Sequence, residues 1–313
     1  MVLVVLVFAA AIVFGGPKPL PPLASINNAF KSVDYSTLPL LLRYAAADGE
    51  ALAYRHYAPA AAARGSVVLV HGSSASSNSM HVLAAAFAQA GYAAYALDMR
   101  GHGASGRKGT LAYIGQLEDD VEAFMRAVAP ATPVTLAGFS AGGGFVLRFA
   151  GSKRQDLFHR YLLLAPFLGP DAANYRPGAG GWVSVGVPRV IAIAVLDSMG
   201  IRAFNDLPIS RFALNESAQA VLTPAYSYPL AMNFRPQLDV AANIEAVRQP
   251  CALVAGVDDE AFQSDRLEGI VRERGKQWPV ILLPGIGHIG LSLEPVAIDA
   301  IVGMVERMEP RGV

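Results

Sequence analysis

The stretch PVTLAGFSAGGGFVLRFA, Pro133–Ala150, contains the change of rhythm that decides the fold. Its opening residues, Val134 to Ala137, form a short apolar run of the kind that suits a strand covered on both faces. From Ala141 onward it reads as an apolar helical stretch. Between the two lies Gly138-Phe139-Ser140-Ala141-Gly142, with no residues left over for a loop. A strand that runs straight into a helix through a serine flanked by small residues is the setting of a nucleophile elbow. Gly138 and Gly142 keep the tight turn free of side chains. Ser140 is thereby expected at the carboxyl edge of a sheet, at the amino end of a helix whose dipole favours developing negative charge.

The same alternation repeats on either side. SVVLV (66–70) precedes an alanine-rich helix near Met80–Ala90, and AAYAL (93–97) precedes a helix near Leu117–Val128. YLLLA (161–165), CALVAG (251–256) and PVILLP (279–284) read as further strands. Leu40–Ala46 and Ala51–Tyr57 flank Asp48-Gly49, a hairpin signal. Unalternating apolar runs interleaved with helices predict an α/β fold with a mostly parallel sheet. No internal repeat is present. The rhythm breaks between Phe167 and Arg235, a region rich in Pro and Gly that includes VPRVIAIAVL (187–196) and AYSYPLAMNF (225–234). At about seventy residues it is too long for a connecting loop, so an inserted helical cap is expected. It reads either as an ordinary helical subdomain or as a lid over an apolar substrate pocket.

A serine nucleophile needs a base, and the base needs an orienting acid. His288 lies in LLPGIGHIGL, on a Gly-rich loop just after the last expected strand, and Asp258 and Asp259 follow CALVAG. Serine, acid and histidine thus fall in the chain order that an elbow serine requires. His56 in an early strand, His81 at a helix start and His159 before a strand read as structural or solvated. His71 belongs to His71-Gly72-Ser73-Ser74, where a strand enters a small-residue turn, and is expected to fix that loop. The backbone amides of Ser73 and Ala141 are the candidate oxyanion donors.

Composition narrows the function classes. The 313 residues carry 25 basic and 25 acidic side chains, a net charge of zero, with 53% apolar and only 16% charged residues. So apolar a chain can bury enough surface to offset its ordering entropy, which excludes disorder. The absence of a net positive field or basic run argues against nucleic acid as a partner. A single cysteine, Cys251, permits no internal disulfide and no cysteine metal site. Residues 1–16, MVLVVLVFAAAIVFGG, are uncharged and lead into the proline-rich PKPLPPL. No basic residue precedes the run, and its A-x-A lies inside the hydrophobic stretch, so a cleaved signal fits poorly. The run falls just short of a bilayer span. An uncleaved membrane anchor is expected, with a cleaved signal or a buried helix of the fold as alternatives, and 17–39 as a semi-rigid spacer. The side of the membrane is undetermined.

These motifs resemble the α/β-hydrolase-fold serine hydrolases, from about Leu40 to Met308. Asp98-Met99-Arg100-Gly101-His102-Gly103-Ala104-Ser105 is similar to that superfamily's D-x-R-G-H-G-x-S loop, in which the histidine is structural. The combination resembles the monoacylglycerol lipase and lysophospholipase branch (serine aminopeptidase-like hydrolases). The resemblance implies an eight-stranded, mostly parallel sheet with helices on both faces and a cap, 167–235, inserted after the sixth strand between catalytic segments 40–166 and 236–313. It implies a triad of Ser140, Asp259 and His288, with Asp259 favoured over Asp258 because the family places its acid three residues after a strand-end glycine, here Gly256. Oxyanion amides on Ser73 and Ala141 follow in the same way, and no metal or organic cofactor is implied. The expected reaction is carboxylic-ester hydrolysis of an apolar or lipid substrate, such as a monoacylglycerol or lysophospholipid. Relatives with the same triad include proline iminopeptidases, carbon–carbon hydrolases, acyltransferases and cofactor-free haloperoxidases, and fold does not decide among them. A non-catalytic binding protein usually lacks a triad member, and none is missing here. The hydrophobic N-terminus and the serine-rich HGSS loop depart from the family pattern.

Overall fold

The computed structural model describes residues 2–176 and 181–309. The parts of the expected anchor, cap and catalytic segments at 1, 177–180 and 310–313 lie outside the described residues. In chain order the strands are β1 Leu41–Ala45, β2 Ala51–Tyr57, β3 Ser66–Val70, β4 Ala93–Leu97, β5 Val134–Phe139, β6 Arg160–Leu164, β7 Val183–Val185, β8 Pro208–Phe212, β9 Ala225–Ser227, β10 Cys251–Gly256 and β11 Val280–Leu283. The helices are α1 Val2–Phe14, α2 Ala24–Asn27, α3 His81–Gln89, α4 Gln116–Val128, α5 Ala141–Ala150, α6 Val187–Ser198, α7 Glu216–Val221, α8 Tyr228–Asn233, α9 Val240–Glu245, α10 Leu267–Arg272 and α11 Pro295–Arg307.

Eight strands form one sheet in the order β1-β2-β4-β3-β5-β6-β10-β11. β2 runs antiparallel to β1 and β4 on either side of it; the rest of the order, β4-β3-β5-β6-β10-β11, pairs in parallel. Every residue of β3, β4, β5, β6 and β10 is buried, which is why these strands are apolar without alternation. The expected α/β-hydrolase sheet is therefore present, its hairpin at Asp48-Gly49 included: Gly49 takes φ +85° and the β1–β2 register runs from Ala45↔Ala51.

Between β6 and β10 the chain leaves the sheet. The region expected to be helical holds α6, α7 and α8, but also a three-stranded antiparallel sheet, β7-β8-β9. Two of those strands have only three residues, too few for a period of two to register in the sequence.

The N-terminal stretch differs most from expectation. α1 has 13 residues, a length of about 20 Å against a hydrocarbon core of about 30 Å. Among the described residues no helix is long and apolar enough to cross a membrane, so a spanning anchor is not supported. Instead Phe8, Ala11 and Ile12 pack on Ile193 and Ala192 of α6 and on Ile209 of β8. Arg189 of α6 donates from Nε to the Ile12 carbonyl at 2.8 Å and from Nη2 to that of Val13 at 3.1 Å, satisfying carbonyls at the open end of α1. The expected spacer is likewise docked. Leu23 N–H and the Asn27 side-chain amide donate to the Ala213 carbonyl, each at 3.0 Å, and Asn27 Oδ1 accepts from the Asn215 amide at 2.9 Å.

Candidate active site

β5 delivers Ser140 to the carboxyl edge of the sheet in an unusual backbone state, φ +56° and ψ −118°. A non-glycine residue there costs on the order of 1–3 kcal/mol and persists only where its surroundings fix it. They do so from three sides. Ser140 N–H donates to the Leu164 carbonyl at 2.9 Å, and its own carbonyl accepts from Gly144 at 3.1 Å and Phe167 at 3.0 Å. A Cβ on Gly138 would fall 2.3 Å from the Gly142 carbonyl oxygen, and one on Gly142 would fall 2.3 Å from that of His71. Both glycines of the elbow are therefore dictated by close approach of backbone.

Ser140 Oγ lies 3.0 Å from His288 Nε2, and His288 Nδ1 lies 2.7 Å from Asp259 Oδ2. The other carboxylate oxygen of Asp259 accepts from the Ala261 and Phe262 amides, each at 2.8 Å. Asp259 and His288 are buried, and Ser140 is 8% exposed, enough to be reached. With Nδ1 donating to Asp259, Nε2 is left to accept the Ser140 hydroxyl proton. Asp258 is exposed and takes no part. Glu260, which the sequence reading did not single out, accepts the His288 backbone amide on Oε2 at 2.9 Å. The imidazole sits among the rings of Phe139, Trp182 and Phe262, at centroid distances of 4.8, 5.1 and 5.1 Å.

The HGSS turn passes directly beside the nucleophile: a Cβ on Gly72 would lie 3.3 Å from that of Ser140. Ser73 and Ala141 both line the cavity that holds Ser140 and His288. Ala141, the first residue of α5, has no carbonyl a turn earlier in the helix to receive its amide. His71 is fully buried; Nδ1 bonds the Gly72 carbonyl at 2.8 Å and Nε2 accepts from Met99 N–H at 3.2 Å. His102 bonds the Arg100 carbonyl through Nδ1 at 3.3 Å and accepts the Tyr226 hydroxyl on Nε2 at 2.7 Å. Burial pushes the pKa of both histidines down, and their mutual repulsion adds to this at His102. Each is thus a neutral structural group, not a proton carrier.

Tyr226 of β9 ties these loops to the inserted region. Its oxygen accepts the Ser74 amide at 2.6 Å, and the Thr223 backbone exchanges a further pair of bonds with Ser74, at 2.8 and 2.6 Å. Tyr226 lies in the aromatic segment 225–234 that stands out in the sequence, but a segment's composition does not say which ring will carry a polar bond. The space enclosed between sheet and insertion is a cavity of about 750 Å³. Ser140 and His288 line it together with Phe212, Leu222 and Met232 of the insertion, and also Ile26, Phe30 and Tyr35 from the N-terminal segment.

Residues 61–289 match a family model described as serine aminopeptidase, S33. Over 154 residues the chain is 36% identical to a monoacylglycerol lipase of Mycolicibacterium smegmatis. That match takes in 47% of this chain and 52% of the relative, so the chain spans about half the length of the curated relative it matches. Among solved structures, a soluble variant of the Saccharomyces cerevisiae monoglyceride lipase with a substrate analogue superposes with a TM-score of 0.65 at 18% identity, over 90% of this chain and 99% of that one. A bacterial membrane phospholipase A superposes with a TM-score of 0.60 at 15% identity, over 98% and 97%. At such identities the two structures establish the fold.

Proposed function

The chain belongs to the serine aminopeptidase S33 family, and from that membership we propose a serine hydrolase that cleaves carboxylic esters of apolar acyl groups, with monoacylglycerols or lysophospholipids as the natural class. The observation that carries this reading is the continuous hydrogen-bonded chain Ser140–His288–Asp259 on the wall of an apolar cavity. In it, Ser140 Oγ attacks the ester carbonyl while His288 Nε2 takes the hydroxyl proton, and Asp259 stabilises the imidazolium. The Ser73 and Ala141 amides receive the oxyanion, each worth about 2.7–4 kcal/mol in the transition state. His288 returns the proton to the leaving alkoxide, then activates water to release the acid from Ser140. The monoacylglycerol lipase relative supports the substrate class.

The family description raises a peptidase reading, but recognition of a free peptide amine calls for a carboxylate, and no Asp or Glu lines the cavity among the described residues. A fluorophosphonate probe should label Ser140 alone, and Ser140→Ala should reduce turnover of 4-nitrophenyl and monoacylglycerol esters by about 10³-fold or more. Labelling elsewhere, or retained turnover, would sink the assignment.

We further propose that the protein works at a lipid surface. Leu6, Val13 and Phe14 of α1 and Val187, Ile191 and Val195 of α6 are exposed. Val187 also lines the cavity, so an apolar skin would continue into the substrate site. The attachment suggested is shallow insertion of helix faces, not a span.

A further inference from the structure

The charge pattern of the cavity narrows the substrate beyond its apolar part. Its described lining contains two cations, Lys31 and Arg235, and no carboxylate. Arg235 follows α8, with Cζ 5.9 Å from the centre of the Phe167 ring, and the Phe167 amide is one of the two that hold the Ser140 carbonyl. The guanidinium is thus one aromatic ring removed from the nucleophile's backbone. Its Nε is buried and has no hydrogen-bond partner among the described residues. Asp171 attracts it only at long range, and Arg148, itself paired with Glu118, repels it. Burial pulls its pKa down, as expected for a cation that has given up hydration without gaining an acceptor.

A second cavity-lining residue also holds a buried donor without a partner. The Trp182 indole N–H is buried without a partner among the described residues, and its ring stands edge-on to His288. Of the buried side-chain polar atoms that lack a partner among the described residues, these two belong to cavity-lining residues, and both are donors. A guanidinium that lines an apolar cavity with no hydrogen bond or ion pair to the described residues favours a ligand that brings acceptors, and discriminates against one that leaves it unpaired.

We propose that Arg235 forms a subsite for an oxyanion carried on the part of the substrate that does not react, a phosphate or a free carboxylate. The inference rests on the ester-hydrolase reading and narrows it to acyl esters that bear a negative group, such as lysophospholipids, over neutral monoacylglycerols. A guanidinium suits either anion because its planar fork can pair two oxygens at once.

The test uses two matched pairs of substrates with the full chain: 1-acylglycerol-3-phosphate against the 1-acylglycerol of equal chain length, and the mono-4-nitrophenyl ester of suberic acid against 4-nitrophenyl octanoate. The protein should favour the anionic member of at least one pair in kcat/KM, on the order of 10- to 100-fold; the pair favoured separates phosphate from carboxylate. Arg235→Met should collapse that ratio, and Arg235→Lys should keep part of it, since lysine retains the charge but not the fork. A ratio near one in both pairs, or a ratio unchanged in Arg235→Met, overturns the proposal. If Arg235→Met does not fold, the ratios of the unaltered protein and of Arg235→Lys still decide. Failure to turn over any of the four esters, with Ser140 left unlabelled by a fluorophosphonate, would instead overturn the ester-hydrolase reading.

Discussion

Asp258 and Asp259 are neighbours at the end of the same strand, yet one is exposed and the other buried against His288. What separates them is backbone direction. Asp258 N–H is drawn to the Ile286 carbonyl at 3.1 Å, which brings the histidine loop alongside and turns the next side chain inward. A sequence shows two carboxylates after a strand; it does not show which of them the turn points inward. Ser140 was legible for the opposite reason, because the elbow's small residues are a local steric demand and adjoin the serine in sequence. Asp259→Asn should lower kcat on a 4-nitrophenyl ester by about 10⁴-fold, by favouring the wrong histidine tautomer. Asp258→Asn should leave kcat within about twofold, as expected of a surface side chain without such a partner. Equal losses in the two variants would reverse the assignment.

At the scale of elements, the central sheet strands could be read because each is an unalternating apolar run of five or six residues between helical stretches, whereas β7 and β9, at three residues, are too short to stand out. The cross-links they carry were invisible for the same reason. Tyr226 bridges Ser74 in the HGSS turn and His102 in the DMRGHG loop, so three segments distant in sequence share one hydroxyl. That junction should be acid-sensitive. His71 and His102 are held below their ordinary pKa of 6.5 by burial, so below that pH the unfolded chain binds more protons than the folded one. The stability they support is complete above pH 6.5 and is lost as pH falls below it. Urea midpoints should therefore drop between pH 7.5 and 5.5. Tyr226→Phe, which leaves the buried Ser74 amide without an acceptor, should cost about 1–3 kcal/mol at the higher pH. A flat pH response would remove the neutral histidines from the account.

For the whole molecule, the apolar excess seen in the sequence divides between a doubly covered sheet and a skin on α1 and α6. Periodicity could not tell which faces of α1 meet α6, because residues 1–14 are apolar all round. Only the docked structure distinguishes Ile12, which is buried, from Val13 and Phe14, which are not. Flotation with phosphatidylglycerol–phosphatidylcholine vesicles should carry the protein upward. The double variant Ile191→Glu and Val195→Glu should reduce the bound fraction on the order of tenfold, because each charge must be kept out of the acyl layer. Turnover of a water-soluble ester should be unchanged. Undiminished flotation of that variant would show that this face does not meet the lipid.

The docking of residues 23–27 onto Ala213 and Asn215 links positions 186 and 188 apart in the chain. The ribosome makes this strap before any strand of the sheet, but its acceptor and donor partners emerge only after β8. Until then Ile26 and Phe30 have no wall to join. Closing so long a loop costs entropy that is recovered only once both ends are in place. The cavity that holds Ser140 is therefore completed late in folding, by a segment synthesised before every strand of the sheet.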